Sequence, residues 1–221
     1  RGEQMSQYFG MVKCIDDNVG RILAALEDCG KLDSTIILMT SDHGDLCYEH
    51  DRLNKGNPYE GSARVPMLFR FPDRIQAGQT YSLPVGTVDV TPTLLGLARI
   101  KTDLNFEGRD LTEPMLGKVN HSDYSVTFLR NSGTNPQWVC AVDDRYKLVL
   151  SVNEQPWLFD AIQDPDELLN FYRRPGSDAA TRRLAKALRE YGNRSQDAYL
   201  EHPAIAASLR KCLGEDDTNG R

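Results

Sequence analysis

The sequence predicts an α/β fold, and three observations carry that expectation. A long amphipathic helical pattern comes first, an apolar run ending at Asp42-His43-Gly44 comes next, and a second apolar run, 67–71, lies beyond a polar loop. In the helical stretch, Met5, Tyr8, Phe9, Val12, Ile15, Val19, Ile22, Leu23 and Leu26 recur at steps of three and four, which places them on one face, and Gly30 ends the pattern. That face is expected to cover a sheet. Asp16 and Asp17 fall inside the same helix, behind the strand ends, and read as solvated or capping residues rather than metal ligands.

The run Thr35-Ile36-Ile37-Leu38-Met39-Thr40-Ser41 is continuous and rich in β-branched residues, the pattern of a strand buried on both faces of a parallel sheet. Ligands bind outside the carboxyl ends of such strands, and Asp42 and His43 stand at that end. Pro72 closes the strand predicted over 67–71, and Thr91 as N-cap with Pro92 at the first helical position opens a short helix through Ala98. From about residue 100 the texture changes to short candidate strands at 125–130, 138–142 and 147–152, separated by Asn-Ser-Gly and Asp-Asp-Arg turns. Two helices, over 178–191 and 203–213, come after these strands, and the charged tail from about 214 is expected to be disordered. The expected division is therefore 1–100, part of an α/β core, and 101–221, a small α+β subdomain built on an antiparallel sheet and packed against that core.

With 221 residues, 40% hydrophobic and 26% charged, the chain has the composition of a globular protein, and no apolar stretch approaches the length that crosses a bilayer. A net charge of −6 argues against nucleic acid as a partner, since that affinity draws on clustered Lys and Arg. The five cysteines show no Cys-x-x-Cys spacing, so zinc is not expected; Cys14 and Cys29 read as buried free thiols and Cys47 as a pocket-wall residue rather than a nucleophile.

Chemistry concentrates between residues 42 and 64. A carboxylate oxygen on Asp42 and an imidazole nitrogen on His43 can reach one divalent cation, while Gly44 lets the backbone turn away. By itself, Asp-His-Gly is more often a turn with an N-cap. The loop downstream is more specific, with Lys55-Gly56-Asn57-Pro58-Tyr59-Glu60-Gly61-Ser62-Ala63-Arg64-Val65-Pro66 leading into the next apolar run. Together with Tyr8-Phe9-Gly10-Met11-Val12, Ile15-Asp16-Asp17-Asn18-Val19-Gly20 and Val88-Asp89-Val90-Thr91-Pro92-Thr93-Leu94-Leu95, this stretch resembles the sulfatase family of the alkaline-phosphatase-like superfamily. Trp157-Leu158-Phe159-Asp160 and Asp164-Pro165-Asp166-Glu167-Leu168-Leu169-Asn170 resemble the family's closing segment.

The resemblance implies hydrolysis of sulfate esters of small molecules or carbohydrates, with Asp42 and His43 as metal ligands and Lys55 as the catalytic lysine. Calcium is the implied ion, with magnesium or manganese as alternatives. His50 could protonate the leaving alcohol or line the substrate pocket, and Glu60 and Arg64 are expected to pair or to anchor the loop. Two family elements are missing: no Cys or Ser begins a Cys/Ser-x-Pro-x-Arg motif, the site of formylglycine, and no earlier Asp-Asp pair completes the metal site. The expectation is a C-terminal portion of a larger enzyme, inactive alone. A phosphate or phosphonate ester hydrolase of the same superfamily, or a binding module without catalysis, are the alternatives.

Overall fold

In the computed structural model, residues 2–117 and 125–215 are described. The elements run α1 (Gly2–Asp28), β1 (Ile37–Thr40), α2 (Glu60–Ala63), β2 (Met67–Arg70), α3 (Val90–Leu97), α4 (Thr112–Met115), β3 (Thr127–Arg130), β4 (Trp138–Val142), β5 (Tyr146–Ser151), β6 (Trp157–Asp160), α5 (Asp178–Ser195), α6 (Ala198–Glu201) and α7 (Pro203–Leu213). The final six residues of the tail expected to be disordered, 216–221, lie outside the described residues.

The first half departs from expectation in its pairing. β1 runs antiparallel to β2, with Leu38 opposite Phe69 and Met39 opposite Leu68, instead of lying within a parallel sheet. Nor is it buried on both faces, because Met39 is 44% and Leu68 58% exposed. Only one strand lies beside β1 among the described residues, so its other edge stays open. α1 spans the predicted length, yet none of its residues is buried and Phe9, Ile15 and Ile22 remain exposed, so it does not cover a sheet as expected. Periodicity identifies an apolar face without saying what meets it.

The second sheet is a meander in the order β3-β4-β5-β6, antiparallel throughout. Register sorts its side chains into two layers. Phe128, Ala141, Leu148 and Leu158 stand opposite one another across the four strands and pack with Leu184, Leu188, Ile205 and Leu209 from α5 and α7. Leu148, Leu158, Leu184, Leu188 and Ile205 are fully buried, each contributing about 1.5–3 kcal/mol through removal from water. The opposite row, Leu129, Cys140, Val149 and Trp157, faces the other way and meets Tyr59 from the first half of the chain. Both faces of this sheet are therefore covered, one by helices and one by the loop ahead of α2.

Helix boundaries obey local chemistry. α7 begins at Pro203 as predicted, where the His202 side chain caps the Ala204 N–H, and Gly214 ends it in a left-handed conformation. α5 runs four residues past its expected end to Ser195 and stops where Gln196 turns left-handed. α3 starts at Val90 rather than at Pro92. The turn Thr87–Asp89, closed by the Asp89 carboxylate accepting the Gly86 N–H at 3.0 Å, runs directly into α3, and Pro92 falls in the first turn, where a missing N–H costs nothing.

Candidate active site

The Asp42-His43 turn is ordered by its own backbone. The His43 N–H donates to Asp42 Oδ1 at 2.9 Å, and the Ser41 hydroxyl donates to the His43 carbonyl at 2.9 Å. The hydrogen bond from the His43 backbone is the largest influence holding the Asp42 carboxyl below its ordinary pKa. His43 Nδ1 lies 2.8 Å from the Gly44 carbonyl, a group that only accepts; in the tautomer with its proton on Nδ1, Nε2 presents a lone pair. That nitrogen stands 3.3 Å from Asp42 Oδ2. Two donors held about 2.4 Å from one calcium ion at right angles would be about 3.4 Å apart, and an imidazole whose other nitrogen is tied to a carbonyl is oriented as metal-binding histidines are. The Asp42 side chain is 83% and that of His43 39% exposed, so both donors are open to an ion. Among the described residues no cluster of three or more His, Cys, Asp or Glu that could hold a metal ion joins them.

Lys55 lies at the exposed far end of the loop beyond this turn. One residue ties it to the Asp42-His43 turn. Ser62, buried in α2, accepts the Gly44 N–H on its carbonyl at 2.9 Å and the Gly56 N–H on its hydroxyl at 3.1 Å. The neighbours of His43 and of Lys55 are thus pinned to a single point. Gly44 owes its identity to this packing, for a Cβ there would lie 2.1 Å from the Gly61 carbonyl oxygen. Between the anchors the loop is closed by Leu46 N–H to the Asn54 carbonyl, 2.9 Å, over the fully buried Leu46 side chain.

His50 sits on this loop with its ring stacked on Tyr59, centroids 3.8 Å apart, and Tyr59 in turn stacks on Trp157 at 5.8 Å. Cys47, Tyr48, His50, Asp51 and Asn54 all have positive φ, an accumulation of left-handed non-glycine residues seen typically where function dictates conformation. The Cys47 thiol has its pKa raised, first by burial and then by Asp45, which opposes thiolate chemistry. Cys14, on α1, which buries none of its residues, and Cys29, just past its end, are exposed, contrary to expectation; Cys140 and Cys212 are the buried thiols.

Glu60 makes only a long contact to Arg64, 3.9 Å, and a much shorter one to Lys147, 2.7 Å. Lys147 also meets Glu167 at 2.6 Å, and both of these side chains are 4% exposed. Sequence reasoning placed Lys147 on a strand without assigning it a role. Its signal was available: strand alternation puts it on the face of Val149, a place where an ammonium group must find carboxylates. The buried Asp89–Arg109 pair, 2.9 Å, was missed for the same reason, as was the Trp138 indole N–H that donates to the Gly56 carbonyl at 3.1 Å.

The sulfatase family model matches residues 1–100. The chain is 32% identical over 96% of its length to Arylsulfatase K of Gallus gallus, of which it spans 42%. Among solved structures, a protein in complex with its substrate D-glucosamine-2-N,6-O-disulfate superposes with a TM-score of 0.77 at 26% identity, over 88% of this chain and 40% of that one. The phosphonate monoester hydrolase of Agrobacterium radiobacter superposes with a TM-score of 0.72 at 27% identity, over 86% of this chain and 40% of its own. The chain spans about two fifths of the length of these relatives.

Proposed function

The chain belongs to the sulfatase family, and from that premise we propose that it supplies one wall of a metal-dependent site that hydrolyses sulfate esters of small molecules or carbohydrates. The observation that carries the reading is the common anchoring of the Asp42-His43 turn and the Lys55 loop on Ser62. A hard divalent cation, calcium first and magnesium or manganese as alternatives, supplies Lewis-acid neutralisation of the sulfuryl oxygens when bound. Asp42 Oδ2 and His43 Nε2 are the donors this chain offers to it. The Lys55 ammonium donates to a sulfuryl oxygen and to the oxygen of the departing alcohol, where negative charge grows as the S–O bond breaks. His50, held against Tyr59, is placed to protonate that alcohol or to line the pocket around it. The attacking group is the formylglycine of a Cys/Ser-x-Pro-x-Arg motif, which does not occur among the 221 residues, so the chain alone is expected to be inactive.

The likeness to a phosphonate monoester hydrolase supports a second reading, in which the same cation and lysine serve phosphoryl oxygens. Both are tested by assaying aryl sulfate and aryl phosphonate with this chain alone and with this chain joined to a segment carrying the motif. Sulfate turnover by the joined protein, reduced about 10²–10³-fold by Lys55→Ala and lost on chelation, is the expected result. Turnover of phosphonate alone selects the second reading, and turnover by the isolated chain, abolished by Asp42→Ala, shows the nucleophile to lie within these residues.

A further inference from the structure

We propose that Lys147 and Glu167 are positioning residues that set the geometry of the Asp42-His43 turn and the Lys55 loop through α2; this rests on the sulfate-ester reading of that site. α2 is only four residues long, and Tyr59 ahead of it makes no side-chain cap. Its first residue is instead held by β5 and by Glu167 from the segment after β6. Lys147 Nζ on β5 lies 2.7 Å from Glu60 Oε1 and 2.6 Å from Glu167 Oε1, and the second Glu167 oxygen accepts the Glu60 N–H at 2.8 Å. Glu60 is thereby fixed by both its side chain and its backbone. Two residues on, Ser62 holds Gly44 and Gly56. Trp138 on the neighbouring strand grips the Gly56 carbonyl independently, so both ends of the path from sheet to site are fastened.

Stability alone does not account for this arrangement. Well-packed apolar side chains of similar volume are often as stabilising as a buried ion pair, because removing charges from water is costly. Burial raises the Glu167 pKa despite the cation beside it, while at Lys147 burial is outweighed by the charges of Glu60 and Glu167, which raise the pKa of the ammonium. What the ionic group provides that an apolar cluster lacks is direction. The Glu167 carboxylate engages the ammonium with one oxygen and the α2 backbone with the other, which admits one orientation of α2 on the sheet.

Backbone hydrogen exchange, read by NMR on the 221-residue chain, tests the proposal without any sulfate ester and is independent of whether the site is a sulfatase. Lys147→Met should speed exchange of the Gly44, Gly56 and Glu60 amides about tenfold or more while leaving those of Ala185 and Leu188 in α5 unchanged. Glu60→Gln, at a less buried position, should accelerate the same Gly44 and Gly56 amides and provides the readout if Lys147→Met does not fold. Unchanged exchange at Gly44 and Gly56 overturns the proposal. So does equal acceleration at Leu188, which would show the cluster to be general packing.

Discussion

Asp160 shows how a single residue carries pH dependence in this molecule. Its carboxylate, almost fully buried, accepts two hydrogen bonds from Arg145 at 3.0 and 2.6 Å and two more from the Ile162 and Gln163 amides. The Arg145 hydrogen bonds are the main reason its pKa lies below the ordinary value of 3.8. A carboxyl whose folded pKa is depressed contributes stability above the unfolded value, and that contribution is lost as pH falls through the folded one. Denaturant midpoints measured from about pH 5 to about pH 2 should therefore fall less steeply in Asp160→Asn than in the parent, with the variant less stable at neutral pH. The cysteines divide by the same physics. Burial pushes Cys140 up to about 12 and Cys212 to about 11, whereas Cys14 on α1 and Cys29 just past its end stand exposed. A maleimide at about pH 7.5 should label Cys14 and Cys29 in the native protein and reach Cys140 and Cys212 only on unfolding.

At the scale of elements, Gly44 and α2 leave no room for a side chain between them. Alanine at Gly44 would set its Cβ against the Gly61 carbonyl, and backbone cannot swing aside as a long side chain can. Gly44→Ala is expected to cost about 1–3 kcal/mol and to raise loop exchange, which equilibrium unfolding and NMR would measure. Local pattern made most elements legible. β4 and α7 appear at the residues that the bounding turns and the capping predict, and the Asp42-His43 turn and Lys55 loop were visible as a motif. Pairing was not legible. Nothing in Thr35-Ile36-Ile37-Leu38-Met39-Thr40 distinguishes a strand of a parallel sheet from one side of an antiparallel ribbon, because the apolar run is the same in both. The Lys147–Glu60 contact joins residues 87 apart, and no local rule reports a partner at that distance.

At the scale of the whole molecule, the two halves differ in how their contacts are distributed along the chain. In the meander every ladder joins strands adjacent in sequence, so each closes only a short loop. The bonds that seat the site on that sheet, Lys147 to Glu60, Glu60 to Glu167 and Trp138 to Gly56, span 82 to 107 residues. Contacts of such separation are expensive to close and form slowly, whereas local hairpins assemble early. The meander with α5 and α7 is thus expected to nucleate folding, and the loop bearing His50 and Lys55 to dock last onto a finished surface. In stopped-flow experiments, Leu148→Ala, on the face that packs with α5 and α7, should slow refolding, while Glu60→Gln should chiefly hasten unfolding. During its synthesis the ribosome releases residues 42–64 well before Lys147 and Glu167 exist to receive them, so the segment with the most left-handed backbone must wait, unseated, for the second half of the polypeptide.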